Sequence, residues 1–249
     1  MNRFAPFQKP EGSRPLIYGH RGARRAAPEN TIQAFELAMD EGAEGVELDV
    51  RVTSDRALVI HHDAAFRKDD GRLLELRATP LEELQRTSEN EGRRIPTLEE
   101  VLAFSERRNP LLNVELKASG SLSGWLAQKA AEALRGRERV LVSSFHVGIL
   151  QKFGRLRPEI PTAYLYERRL RVPLPWIQRF TRAGGLHPIQ SLLDAQTIQR
   201  LRAQGAHVVN VWTVNDAMRA QELAALGVDG IITDVPGEIL RALGSSASP

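Results

Sequence analysis

Short apolar runs alternate with longer amphipathic stretches along almost the whole chain. Runs at 16–20 (LIYGH), 45–53 (GVELDVRVT), 111–117 (LLNVELK) and 140–145 (VLVSSF) read as strands, as do 162–166, 186–189, 207–214 (HVVNVWTV) and 230–233 (GIIT). Between them, helical periodicity predicts helices over 31–42, capped by Asn30, and over 97–108, 123–135, 147–157, 176–183, 195–205, 216–227 and 236–243. Strands that alternate with helices of this length pair in parallel through crossover helices. Eight such units in about 230 residues is what a closed (β/α)₈ TIM barrel needs. A doubly wound open sheet has the same period and remains the alternative architecture.

Residues 55–96 break the pattern. They hold a hairpin-like segment (ALVIHHD), a turn (DDGR) and a short helix (PLEELQRT), too much for an ordinary loop. An insertion after the second strand lies at the C-terminal mouth of a barrel. The expectation is therefore one domain over 1–249, with 55–96 as a small lid subdomain over that mouth.

Composition narrows the chemistry. There is no cysteine, which excludes disulfides, cysteine–zinc sites and thiol nucleophiles. The formal charge of +3 suits an anionic ligand but is diffuse, with none of the dense Lys/Arg blocks of a nucleic-acid patch. No run approaches 18 apolar residues and the N-terminus lacks a signal-peptide core, so no membrane insertion and a cytoplasmic protein are expected.

In a TIM barrel the active groups sit at strand C-termini and in the loops that follow. The titratable residues gather there. The first strand ends in His20-Arg21-Gly22; the second carries Glu47 and Asp49, and the third Glu115 and Lys117, each pair two residues apart and so on one side of its strand. His62-Asp63 follows the apolar run of the insertion, and Trp212 to Asn215 end the seventh strand. Three inward carboxylates on adjacent strands repel one another unless a cation joins them, and an all-oxygen set favours Mg²⁺ or Ca²⁺ over zinc. Two histidines (His20, His62) and two cations (Arg21, Lys117) around that ion make an inventory for acting on a phosphate.

The joint series of motifs resembles the glycerophosphodiester phosphodiesterase family. It runs from Tyr18-Gly-His-Arg-Gly through Pro28-Glu-Asn-Thr31, Gly45-Val-Glu-Leu-Asp-Val50 and His62-Asp63. It continues through Ile95-Pro-Thr-Leu-Glu-Glu100, Asn113-Val-Glu-Leu-Lys117, Ser143-Ser-Phe145, Trp212-Thr-Val-Asn215 and Gly230-Ile-Ile-Thr-Asp234. The resemblance implies hydrolysis of a small-molecule glycerophosphodiester to glycerol 3-phosphate and an alcohol. It implies a divalent metal held by Glu47, Asp49 and Glu115, His20 and His62 as the acid/base pair, Arg21 and Lys117 on the phosphate, and Trp212 at the pocket. Which histidine is acid and which base stays open, as does whether water or a substrate hydroxyl attacks. After His62-Asp63 the chain departs from the family's Arg-Thr pair, reading Ala64-Ala-Phe-Arg67-Lys-Asp-Asp-Gly71.

Two other functions use the same residues: a lysophospholipase D acting at a membrane, and a non-catalytic phosphodiester-binding barrel. The complete set of seven site residues argues against the second. Blander roles compete residue by residue. The three carboxylates could pair with Arg51 or Lys117, and Lys117 could serve only Glu115 or Glu47. Glu29 is expected to back Arg21, Asp63 to orient a neighbour, and Asp234 to cap the last helix. His61 faces away from His62 and is expected to be structural, as are His146, His187 and His207. The basic run Arg168–Arg171 with Leu174-Pro-Trp176-Ile177 and Arg179 reads as a solvated outer face, with an anionic membrane surface as the alternative. Residues 244–249 read as a disordered tail.

Overall fold

The computed structural model describes residues 2–169 and 173–244. The chain enters β1 (Leu16–His20), crosses through α1 (Ile32–Asp40) to β2 (Gly45–Val52), and then forms β3 (Leu58–Ile60), β4 (Ala65–Arg67), β5 (Leu73–Glu75) and α2 (Leu81–Asn90). After α3 (Leu98–Arg108) the alternation is regular: β6 (Leu111–Leu116), α4 (Ser123–Ala133), β7 (Val140–Ser144), α5 (Val147–Leu156), β8 (Thr162–Tyr166), α6 (Leu174–Thr181) and β9 (Gly185–Pro188). It ends with α7 (Ala195–Ala203), β10 (Val208–Val211), α8 (Ala217–Ala225), β11 (Gly230–Thr233) and α9 (Pro236–Gly244). Within the predicted tail, Gly244 ends α9, and residues 245–249 lie outside the described residues, as do Leu170 and Arg171 of the basic run.

Eight parallel strands form a ring in which each has two partners, because β1 pairs with both β2 and β11. That closure makes the fold a (β/α)₈ barrel and removes the open sheet. The interior is filled by inward residues of alternate positions, among them Tyr18, Leu111, Leu141, Val208 and Ile232, joined by Phe4 and Phe7 of the N-terminal segment. Helices cover the outside, burying Phe35, Phe104 and Phe153 on one side and Ile198, Leu201 and Leu223 on the other. Among the described residues no helix is long and apolar enough to cross a membrane.

Local chemistry sets the helix starts. Thr97 caps α3 in a reciprocal capping box, its hydroxyl accepting from Glu100 N while the Glu100 carboxylate accepts from Thr97 N. The cap of α1 is Thr31, whose hydroxyl accepts from Ala34 N, and not Asn30 as the sequence suggested. Asn30 sits one residue earlier at φ +57°, and its side chain is turned inward to Asp49.

The segment between β2 and α3 extends the sheet by pairing β3 antiparallel to β2, then adds the two-stranded β4–β5 unit. It carries its own small core of Val59, Phe66, Leu76, Leu84 and Ile95.

Candidate active site

Strand register assembles the site. In one row across the ring His20 lies beside Glu47, and Glu47 beside Asn113. In the next row toward the mouth Asp49 lies beside Glu115, and Glu115 beside Ser143. Residues two apart on a strand face the same way, so both rows point into the barrel. The result is a cavity of about 250 Å³ whose wall includes His20, Arg21, His62, Lys117 and Trp212. Gly22 makes the turn after β1 at φ +86°, and Arg21 before it is also left-handed at φ +56°. This backbone swings Arg21 back over the carboxylates.

Glu47, Asp49 and Glu115 are all buried, and one carboxylate oxygen of each lies within 4.8 Å of the others. Their electrostatics differ. Burial would raise the Asp49 carboxyl, but Lys117 Nζ at 3.0 Å and Arg21 Nε at 3.2 Å, with an amide hydrogen bond from Asn30, bring it down to about 2. Burial and then Asp49 push Glu115 up to about 7, against Lys117 Nζ at 2.7 Å. Burial, with Asp49 and Glu115 adding to it, raises Glu47 well above the usual carboxylate range. Among the described residues Glu47 meets no lysine or arginine within 4.0 Å; its nearest basic atom is His20 Nε2, 4.0 Å away. Two of the three clustered carboxylates are thus held back from ionising by burial and by one another, a penalty that a bound cation would relieve, and their donors are all oxygen. That donor set fits a hard divalent cation.

The two histidines are each anchored through Nδ1. His20 Nδ1 is 2.6 Å from Asp234 Oδ1, and His62 Nδ1 is 2.7 Å from Asp63 Oδ1. Each anchor leaves Nε2 as the free ring nitrogen of its histidine. The Asp234 carboxylate is itself fixed: Asn215 Nδ2 donates to its other oxygen at 2.7 Å, and Arg24 Nε lies 3.3 Å from Oδ1. The His62–Asp63 pair is more open to solvent. Burial lowers the His62 imidazole from its ordinary value.

Of the residues expected at the site, His20, Arg21, Glu47, His62, Glu115, Lys117 and Trp212 line this cavity, with Asp49 buried directly behind. Glu29 accepts from Arg21 Nη1 at 2.8 Å. Lys117 pairs with Glu115 and Asp49, so the charge-partner role belongs to it; Arg51 turns away to the carbonyl oxygens of His62 and Ala118. Trp212 stands edge-on to Phe145 at 5.5 Å and donates its indole N–H to the His187 carbonyl. His61 points elsewhere, toward Ala65 O and the Phe66 ring.

Asp234 corrects the sequence reading. It holds a site histidine, a role that helix capping does not describe. Its signal was positional: β11 neighbours β1 only once the barrel closes, with Gly19 opposite Thr233, so the next residues, His20 and Asp234, come together. Asn113 was missed as well. It is 1% exposed on the cavity wall, and neither its amide nitrogen nor its oxygen has a protein partner.

Comparison with known proteins agrees with this geometry. The model of the glycerophosphoryl diester phosphodiesterase family matches residues 20–238. A glycerophosphodiester phosphodiesterase of Bacillus altitudinis is 34% identical over 90% of this chain and 96% of its own length. One of Caldanaerobacter subterraneus is 31% identical over 91% and 96%. Among solved structures, an Oleispira antarctica phosphodiesterase in complex with the product sn-glycerol-3-phosphate superposes with a TM-score of 0.82 at 31% identity, covering 93% of this chain and 97% of that one. A Silicibacter pomeroyi structure superposes at 0.84 with 23% identity, over 98% and 97% of the two chains, a likeness of fold. With the family model covering most of the chain and every residue that lines the cavity, the chain belongs to the glycerophosphoryl diester phosphodiesterase family.

Proposed function

We propose that this protein hydrolyses glycerophosphodiesters to sn-glycerol 3-phosphate and an alcohol, in the cavity at the mouth of the barrel. One observation carries the reading: a buried acidic triad, two cations and two Nδ1-anchored histidines meet in a single cavity of about 250 Å³. Glu47, Asp49 and Glu115 would hold a divalent ion, Mg²⁺ or Ca²⁺, which supplies positive charge to a phosphoryl oxygen. Arg21 and Lys117 present their cationic groups to the same phosphate. Trp212 and Phe145 give an apolar wall suited to a glycerol carbon chain. Asn113 offers an unsatisfied donor and acceptor to a glycerol hydroxyl. A buried amide left in that state costs about 1–3 kcal/mol per group, so a polar ligand there restores what burial removed.

The proton transfers follow from the two anchors. His20 is the general base: the buried Asp234 carboxylate fixes its tautomer and stabilises the imidazolium formed when Nε2 takes a proton from the attacking hydroxyl or water. His62 is the general acid: its Nε2 is free, Asp63 orients the ring through Nδ1, and its more open position suits an alcohol leaving toward solvent.

Leaving-group dependence tests both roles. His20→Ala and His62→Ala each lower kcat on glycerophosphocholine by about 10²–10⁴-fold. On a glycerol phosphodiester of p-nitrophenol, which leaves without a proton, His62→Ala recovers to within about tenfold and His20→Ala does not. Wild-type turnover by either variant on glycerophosphocholine removes the mechanism; the reverse rescue pattern exchanges the two roles.

A further inference from the structure

The chemistry described above leaves one surface unused. Helix α6 places Trp176, 68% exposed, and Phe180, 54% exposed, four residues apart, so both rings stand on one face. Arg179 is exposed beside them, while Ile177 and Thr181 face the barrel. The stretch around it is basic: among the described residues Arg168, Arg169 and Arg179 are exposed, against one carboxylate in the same stretch, Glu167. Among the described residues Arg168, 91% exposed, has only a long 3.9 Å contact to that carboxylate, and Arg169 is exposed too, with Asp194 the acidic group facing it. The patch is next to the site: β8 runs into the cavity wall at Leu165 and Glu167, and α6 begins a few residues later, so Trp176 lies in the first turn at the mouth end.

We propose that this face of α6 docks on an anionic phospholipid bilayer, with Trp176 and Phe180 in the headgroup region and the flanking arginines on lipid phosphates. Aromatic side chains ringed by arginine are the chemistry of peripheral binding to such a surface. A second copy of this chain is a poorer occupant. Together the two rings offer at most about 300 Å² of apolar surface, using the usual area of an aromatic side chain. A specific protein interface needs about 800 Å² from each partner. The arginine excess would also face itself across a two-fold contact. A bilayer carries the complementary charge and has no minimum area. Docking there holds the cavity mouth at the lipid surface, where diesters made by removing acyl chains from phospholipids are released.

Cosedimentation with large vesicles tests the docking without reference to catalysis. The full chain is expected to pellet with vesicles of about 70% phosphatidylcholine and 30% phosphatidylglycerol at low salt, and to be released near 1 M NaCl. Trp176→Ser/Phe180→Ser should weaken the partition at least about tenfold, and Arg168→Glu/Arg169→Glu should weaken it on anionic vesicles by a similar factor. The double aromatic variant should keep wild-type kcat and KM on soluble glycerophosphocholine, showing that the barrel is folded. Failure of the wild type to bind anionic vesicles overturns the proposal, as does undiminished binding by the aromatic variant. So does a wild-type dimer in sedimentation velocity that the same substitutions dissociate. An inactive wild type that still binds vesicles through Trp176 and Phe180 would sink the hydrolase reading alone.

Discussion

His20 is held by a carboxylate that lies 214 positions away along the chain, and that pairing decides which ring nitrogen can react. With Asp234 accepting from Nδ1–H, the lone pair sits on Nε2. Asp234→Asn presents an amide that can donate to Nδ1 and so favours the wrong tautomer. The expected result is a fall in kcat of about 10²–10⁴-fold with KM on glycerophosphocholine changed less than about threefold. A fall in affinity alone, with kcat kept, would make Asp234 a merely structural residue. The acidic triad carries a second residue-scale expectation. Protein stripped with EDTA and then given Mg²⁺ or Ca²⁺ at 100 times its dissociation constant gains about 2.7 kcal/mol, which raises Tm by about 5–10 °C in a domain of this size. Glu47→Gln and Glu115→Gln should abolish the rise; an equal rise in both variants would place the ion elsewhere. Most of this site was legible in the sequence because the two-residue spacing of Glu47 with Asp49, and of Glu115 with Lys117, fixes a common face without any knowledge of the fold. Asp234 and Asn113 were not, for different reasons. Asp234 acquires its partner only when the last strand meets the first. Asn113 looks like any strand amide until both of its polar atoms are found buried and unpaired.

Elements were legible where hydrophobic period is strong: the bounds of β1, β8 and β11 match the runs that predict them, while several helix ends differ by a residue or more. The apolar runs located all eight barrel strands, since a strand buried on both faces reads as a continuous hydrophobic stretch. The start of α1 failed because Asn30 and Thr31 are both good caps; the choice falls to Thr31 because Asn30 is drawn to Asp49. Two substitutions separate a structural helix end from a turn that serves the site. Thr97→Ala removes the hydroxyl half of the α3 capping box and should lower unfolding stability by about 1 kcal/mol in urea, with kcat unchanged. Gly22→Ala is different in kind. Its left-handed φ of +86° costs an L residue about 1–2 kcal/mol, and the new methyl would fall 2.5 Å from the Ala34 carbonyl carbon. Relief requires the turn carrying Arg21 to move, so a loss of stability larger than that of Thr97→Ala, together with a fall in kcat, is expected. Full activity in Gly22→Ala would show that the turn does not set the position of Arg21.

Closing eight strands into a ring encloses inward-facing polar side chains that an open sheet would leave on one of its faces, and this gives the molecule an acid-sensitive centre apart from the acidic triad. His187 on β9 lies wholly inside, with Nε2 near Asn210 Nδ2 at 3.2 Å and Nδ1 without a partner. Burial lowers its pKa to about 3. The folded chain therefore keeps this imidazole neutral, while the unfolded chain protonates it near its ordinary value of 6.5. Between about pH 6.5 and 3 the unfolded state binds the extra proton, so the His187 contribution is complete above 6.5 and is lost as pH falls through that window. The slope is at most about 1.4 kcal/mol per pH unit. Other groups titrate in the same range, so the reading is the difference between two proteins. Urea unfolding of the wild type and of His187→Asn, followed from pH 7.5 to 4.5, should give curves that diverge on acidification, the variant losing less stability per pH unit. Parallel curves would mean that His187 is protonated in the folded barrel, with Asn210 and the neighbouring interior polar groups accommodating the charge.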